Sequence, residues 1–412
     1  MKALLWTLLL ACACPVAAAD LAIVGARIYP APEADPVERG TVLVRDGRIV
    51  AVGASDEMEV PDGIEVIDGN GKVVTAGFWN SHVHFLGPVT REAATRPAQE
   101  MDAVLRHMLT RWGFTTVFDI SSFNGNAAAL RRRIEAGEVV GPHILHVDTP
   151  FFPEDGTPVY VRDLLEELGV PSAEVASPEE ASGRAARQLA AGADGVKLFA
   201  GAIVGGEIEV LPMKVDIARA VVEEAHRVGK PAFAHPTNTE GLEVSIASGV
   251  DVLAHSTPFS GPWDEALVQR LRAAEIALIP TLTLFEAELR REDAPDQVVE
   301  RFIADATQQV RVYTQAGGTV LFGTDVDYIS HVDTRREIEL LAVAGLDWRQ
   351  VLATMTTAPA DRFGHGERKG RIAAGMEADL VVLGTDPALD ITGLSDVRAT
   401  IRGGRVIHRT AD

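Results

Sequence analysis

The sequence predicts an α/β protein: a (β/α)₈ barrel of the TIM type, with a small β-sandwich formed by its N- and C-terminal segments. Three observations carry that expectation. Eight short apolar runs alternate with helical periodicity between residues 73 and 325, the pattern of parallel strands joined by helices. Residues 20 to 75 instead read as short strands and hairpins, and so does the tail from residue 370. Neither terminal piece is long enough to bury a core alone, so pairing them is the simplest solution.

Taken in order, residues 1–19 have the form of a signal peptide. Lys2 precedes an apolar run from Ala3 to Val16, and Ala17-Ala18-Ala19 is a small-residue cleavage site. Periplasmic or secreted localisation is expected. Cys12 and Cys14 both lie in this segment. A mature chain starting at Asp20 would therefore have no disulfide and no catalytic cysteine. The β module spans 20–75 plus 366–412. Its signals are Asp46-Gly47 between two β-branched runs and Gly403-Gly404 at a second hairpin tip. The barrel spans 76–365. Strand ends are expected at His82/His84, Asp119, Asp148, Phe199, His235, His255, Thr281 and Asp325. Helices are expected near 103–109, 128–134, 179–189, 215–228, 264–273, 298–316 and 347–355, the last stopping near Pro359. Residues 148–177 form the longest connection, and long loops at that end of a barrel carry function.

Composition narrows the partners. The 412 residues are 47% hydrophobic and carry a formal charge of -21. That sign argues against nucleic acid and anionic membrane surfaces and leaves a small-molecule substrate. No membrane span is expected in the mature chain, and homo-oligomerisation is left open.

The chemistry is read from polar residues at strand ends, because active sites of such barrels lie at that face. His82 and His84 are two apart and project to the same side of a strand. Lys197, His235, His255 and Asp325 end four further strands. Each has a plainer reading alone: a satisfied core histidine, an ion-paired lysine, a capping aspartate. Together they form a six-ligand set for two divalent metal ions, with zinc the natural choice for imidazole and carboxylate donors. His82, His84 and Asp325 would hold the more buried ion, and His235 and His255 the more exposed one. Lys197 sits in an apolar strand where a bare ammonium is costly; reaction with carbon dioxide would make it an anionic carbamate that bridges both. A bridging hydroxide would then attack a carbonyl, with Asp325 as proton shuttle. Asp327, two residues on, is set aside because Asp325 sits directly at the strand end. His146, Tyr160 and His331 are candidates for the substrate pocket.

These residues resemble the amidohydrolase superfamily, in the branch of imidazolonepropionase-like enzymes and Xaa-Pro dipeptidases. The resemblance rests on Gly71-Lys72-Val73-Val74-Thr75-Ala76-Gly77 before the His-x-His, on Gly113 to Asp119, on Val196-Lys197, and on Gly370 to Leu380. It implies a binuclear zinc hydrolase of amide or ester-like bonds. Ala76 and Asn80 replace the branch's usual proline and aspartate. Lys197 points away from imidazolonepropionase activity. Val147 to Phe152 and Ala200 to Gly206 lack the dipeptidase elements expected after strands three and four. The expected reaction is hydrolysis of an amide C–N bond, of a dipeptide or an N-acyl amino acid. The alternatives are a lactone, carbamate or phosphotriester hydrolase, or a non-catalytic metal-binding protein.

Overall fold

The computed structural model describes residues 20–207 and 209–410; the signal peptide expected over residues 1–19 lies outside them. The N-terminal segment forms β1 (Leu21–Ile28), β2 (Val37–Arg45), β3 (Arg48–Ala54), β4 (Glu65–Asp68) and β5 (Val73–Ala76). The Asp46-Gly47 turn joins β2 to β3, both residues at positive φ.

The central region then supplies β6 (Phe78–Val83), β7 (Phe114–Asp119) and β8 (His143–His146), paired in parallel. Two short strands follow, β9 (Phe152–Pro153) and β10 (Glu174–Val175). Next come β11 (Val196–Phe199), a hairpin of β12 (Gly201–Gly205) and β13 (Glu209–Pro212), then β14 (Ala232–His235), β15 (Val252–Leu253) and β16 (Ala277–Leu278). β11, β14, β15 and β16 are again parallel neighbours.

Backbone hydrogen bonds join these two parallel runs into a ring. Asp194 N–H donates to the His146 carbonyl at 2.7 Å, tying β8 to the approach to β11. On the other side, Leu321 N–H donates to Leu278 at 2.8 Å, and Ser81 N–H donates to Phe322 at 2.7 Å. Residues 319–325 therefore fill the eighth position, held by single bridges rather than a regular ladder. Gly323 permits the approach: a Cβ there would lie 2.8 Å from the His82 Cβ.

The tail gives β17 (Leu380–Leu383), β18 (Val397–Arg402) and β19 (Arg405–Arg409). β17 pairs with β5, so both ends of the chain share one eight-stranded sheet of order β19-β18-β17-β5-β1-β2-β3, with β4 on β1. Leu21, Ile23, Val42, Val44, Leu380, Val382 and Ile401 form its common apolar core. Asp379 joins this sheet to the barrel. Its backbone carbonyl accepts from Gly77, its side chain accepts from Gly403 N–H, and the buried Lys369 ammonium donates to it.

Several features depart from the sequence expectation, and helices Thr239–Ser248 and Arg335–Val343 also lie outside the expected ranges. The 148–177 connection carries β9, β10 and a helix Arg162–Glu167. The β12–β13 hairpin follows β11, where no strand pair was expected. A helix Leu282–Arg291 follows β16 directly, where none was expected. Helix Trp348–Met355 breaks at Thr356, and a short helix Thr357–Arg362 then runs through Pro359. A proline in a helix's first turn removes no hydrogen bond, so it does not end this one.

Candidate metal centre

β6 presents His82 and His84 at the C-terminal face of the ring, both buried. Their Nε2 atoms lie 3.2 Å apart. Asp325 Oδ1 is 3.3 Å from His82 Nε2 and 2.9 Å from His84 Nε2. His255 closes on the same point: its ring centroid is 4.7 Å from that of His82, and its Nδ1 is 3.9 Å from Asp325 Oδ2. His235 follows, with its ring centroid 4.6 Å from His255. Lys197 is 3% exposed on β11 and lines the same cavity. The structure thus brings all six strand-end residues to one cavity of about 330 Å³.

Backbone geometry fixes these side chains. Asp325 has φ 58°, and its N–H donates to the His82 carbonyl at 2.9 Å. Asn80 spans the same seam, donating from Nδ2 to Thr324 Oγ1 at 2.7 Å and accepting from the N–H groups of His82 and Thr324. Thr281, three residues past β16 and at the N-cap of the helix that follows, has φ 45°, a conformation that β-branched residues rarely adopt. It places Oγ1 2.8 Å from His255 Nδ1. The buried Glu337 carboxylate holds this turn by accepting from Leu282 N–H at 2.9 Å and Thr283 N–H at 2.7 Å. Strain of this kind persists only where surrounding contacts enforce it.

Three of the four imidazoles are held neutral. Burial first, then the neighbouring cationic groups, holds His82, His235 and His255 well below the usual histidine range. Burial opposes a proton on His84, but Asp325 and Asp119 outweigh it and push the group up to about 9. Burial pushes Lys197 down to about 7, with Asp325 acting in the opposite sense. Asp325 Oδ1, His82 Nδ1 and His84 Nδ1 are buried without a hydrogen-bond partner. His82, His255 and Asp325 each offer one donor atom, all within 4.8 Å of one another. Two imidazoles and a carboxylate so placed can hold a divalent metal ion.

Other candidates lie elsewhere. Asp327 turns away: its carboxylate accepts from Leu86 N–H, Gly87 N–H and the Thr90 hydroxyl. Tyr160 lines the cavity and meets Tyr328 edge-on at 5.7 Å. His146 does not line it, because the ring folds back on the Val147 carbonyl 3.3 Å away. His331 is exposed and does not line it either. Three residues of the site escaped the sequence reading. Asp119 is fully buried, 3.7 Å from His84 Nδ1, and ends an apolar strand just as the six do. Thr281 follows a strand, but a threonine gives no ligand signal. Glu337 lies 54 and 55 residues beyond its partners, with no local pattern to announce it.

Residues 73–407 match the model of the amidohydrolase family. A solved structure assigned as a prolidase, from Bifidobacterium longum, is 27% identical with a TM-score of 0.78, covering 95% of each chain. A Xaa-Pro dipeptidase solved with methionine in its active site is 21% identical with a TM-score of 0.79, covering 95% of this chain and 100% of that one. The second likeness is one of fold. The amidohydrolase tasK of Hapsidospora irregularis is 54% identical over 43 residues, which span 10% of this chain and 4% of that protein.

Proposed function

The chain belongs to the amidohydrolase family, hydrolases acting on C–N bonds, and on that premise we propose that it cleaves the amide of a dipeptide or N-acyl amino acid at a two-metal centre. The observation that carries this reading is the meeting of His82, His84, Lys197, His235, His255 and Asp325 at one cavity. His82, His84 and Asp325 are the residues to hold one ion, and His235 and His255 those to hold the second. When bound, divalent metals supply an acidified water and polarise the scissile carbonyl. Zinc fits the donor set.

Lys197 completes the set as a carbamate. Its neutral amine nitrogen attacks the carbon of carbon dioxide and gives up a proton, leaving an anion with two oxygens. The neutral amine this needs is favoured by burial. Asp325 lies beside His82 and His84 and borders the cavity. In the reaction it takes the proton from the attacking water and delivers it to the leaving nitrogen. Thr281 orients His255 through its hydrogen bond, the role outer partners play around metal-binding imidazoles, and the Asp119 carboxylate faces His84 Nδ1 at 3.7 Å.

Turnover of dipeptides, N-acyl amino acids, lactones, carbamates and phosphotriesters, measured side by side on metal-loaded protein, tests the reaction. Amides should be cleaved, and esters or phosphotriesters without amides would reject the proposal. Export is also proposed from residues 1–19, and N-terminal sequencing of protein from the periplasm or medium should begin at Asp20.

A further inference from the structure

The outer half of the cavity differs from its floor. Polar donors crowd one end, while the facing wall is helix Leu282–Arg291, whose Phe285 and Leu289 are only partly buried and point into the cavity. Apolar residues one turn apart normally mark the face a helix packs on a core. Here that face meets the cavity.

Phe302 and Phe259 continue the wall, edge-to-face with ring centroids 5.1 Å apart. Phe259 is 60% exposed, a large apolar surface that a ligand would cover. Ile203 of the β12–β13 hairpin also lines the cavity. The charged groups at this end are Glu288, Arg291 and Glu292. Arg291 is 2.6 Å from Glu288, and Glu292 adds a second carboxylate, so this end carries no net positive charge. Beyond the floor, the described lining therefore has no uncommitted cation to receive a substrate carboxylate.

We propose that this wall selects an amide with one large, uncharged apolar arm, an aryl or branched alkyl group, bound against Phe285, Leu289, Phe302 and Phe259. The proposal rests on the C–N hydrolase reading above and narrows it: a carboxylate of a dipeptide or N-acyl amino acid would lie at the floor, and the arm on this wall is uncharged. It places the scissile carbonyl at the floor and the arm along the helix. The volume of about 330 Å³ falls in the range of small-molecule sites lined mainly by apolar side chains.

The test compares N-methylacetamide with its 2-naphthyl derivatives, the ring carried through a methylene on the acyl side or on the amine side, so that amide reactivity changes little. One naphthyl side should raise kcat/KM by about a hundredfold, since apolar contacts of one or two carbons already give factors of ten or more. N-methylsuccinamate, with a charged arm, should gain nothing. The double variant Phe259→Ser, Leu289→Ser changes partly exposed positions and should cut the naphthyl preference about tenfold. Equal turnover of methyl and naphthyl amides, or a preference that survives the double variant, would overturn the proposal. Fluorescence titration of metal-free protein with 2-acetylnaphthalene, which has no amide, separates the two readings. Saturable binding that weakens in the double variant supports the wall even if no amide is cleaved, in which case the hydrolase reading is what fails. No binding overturns the wall.

Discussion

Two lysines are buried in the described chain, and their surroundings differ. Lys369, 5% exposed, sits between the sheet and the barrel with Glu377 at 2.8 Å and Asp379 closer still. Burial opposes its charge, but the two carboxylates prevail and raise it above the usual lysine range. Lys197, 3% exposed, has no ion-pair partner among the described residues, and burial carries it down to about 7. The first is a structural cation with its charge matched. The second is a potential nucleophile kept from its charge. A buried lysine without a counter-ion is costly for stability alone, so its presence beside four histidines and an aspartate asks for a chemical reason.

Exchanging each lysine for methionine sharpens the contrast. Lys197→Met should abolish turnover and lower metal content while leaving the thermal midpoint of metal-free protein equal or higher, because an apolar side chain suits that position better than a lone amine. Lys369→Met should leave metal content intact but destabilise the chain by about 3–5 kcal/mol, because Asp379 remains buried and uncompensated. Calorimetry and metal analysis on both variants check this, and a stability loss shared by both would break the distinction. Asp325→Asn, which keeps the shape and removes the proton acceptor, should lower kcat by about 10²–10⁴-fold.

Smaller effects are expected further from the floor. Measured by competition with a chelator, Glu337→Gln should weaken metal binding by less than the roughly 10- to 100-fold typical of losing a direct outer partner of a metal-binding histidine, because Glu337 reaches His255 only through the Thr281 turn. It should also alter the pH dependence of stability. Burial raises Glu337 to about 7 against an ordinary value of 4.5. Between those pH values the folded chain holds a proton that the unfolded chain has lost, so Glu337 stabilises below 4.5 and that contribution fades as pH rises through 7. Urea titrations of metal-free protein across that range should show the slope in the wild type and its loss in Glu337→Gln.

The same contrast shows what the sequence made legible. Parallel barrel strands announce themselves as apolar runs, and a polar residue at the end of one is conspicuous, so His82, His84, Lys197, His235, His255 and Asp325 could be read from position alone. Asp119 obeyed the same rule and was passed over, because a single carboxylate at a strand end has many ordinary explanations. What came from the helix after β16 was not legible. Leu282 to Arg291 is short, and its apolar residues are divided between the core, which Leu282 joins, and the cavity, which Phe285 and Leu289 line, so its periodicity merged with the strand before it. Glu337 was invisible for a different reason: it acts on Leu282 and Thr283 only once the chain has folded. His146 and His331 were chosen for their chemistry, yet a backbone carbonyl holds one ring and the surface holds the other.

Metal stoichiometry tests the central claim most directly. Protein purified with zinc and bicarbonate should bind close to two metal ions per chain, and Lys197→Ala should fall to one or none with loss of amide hydrolysis. One ion per wild-type chain, with Lys197→Ala fully active, would contradict a two-metal centre built on Lys197.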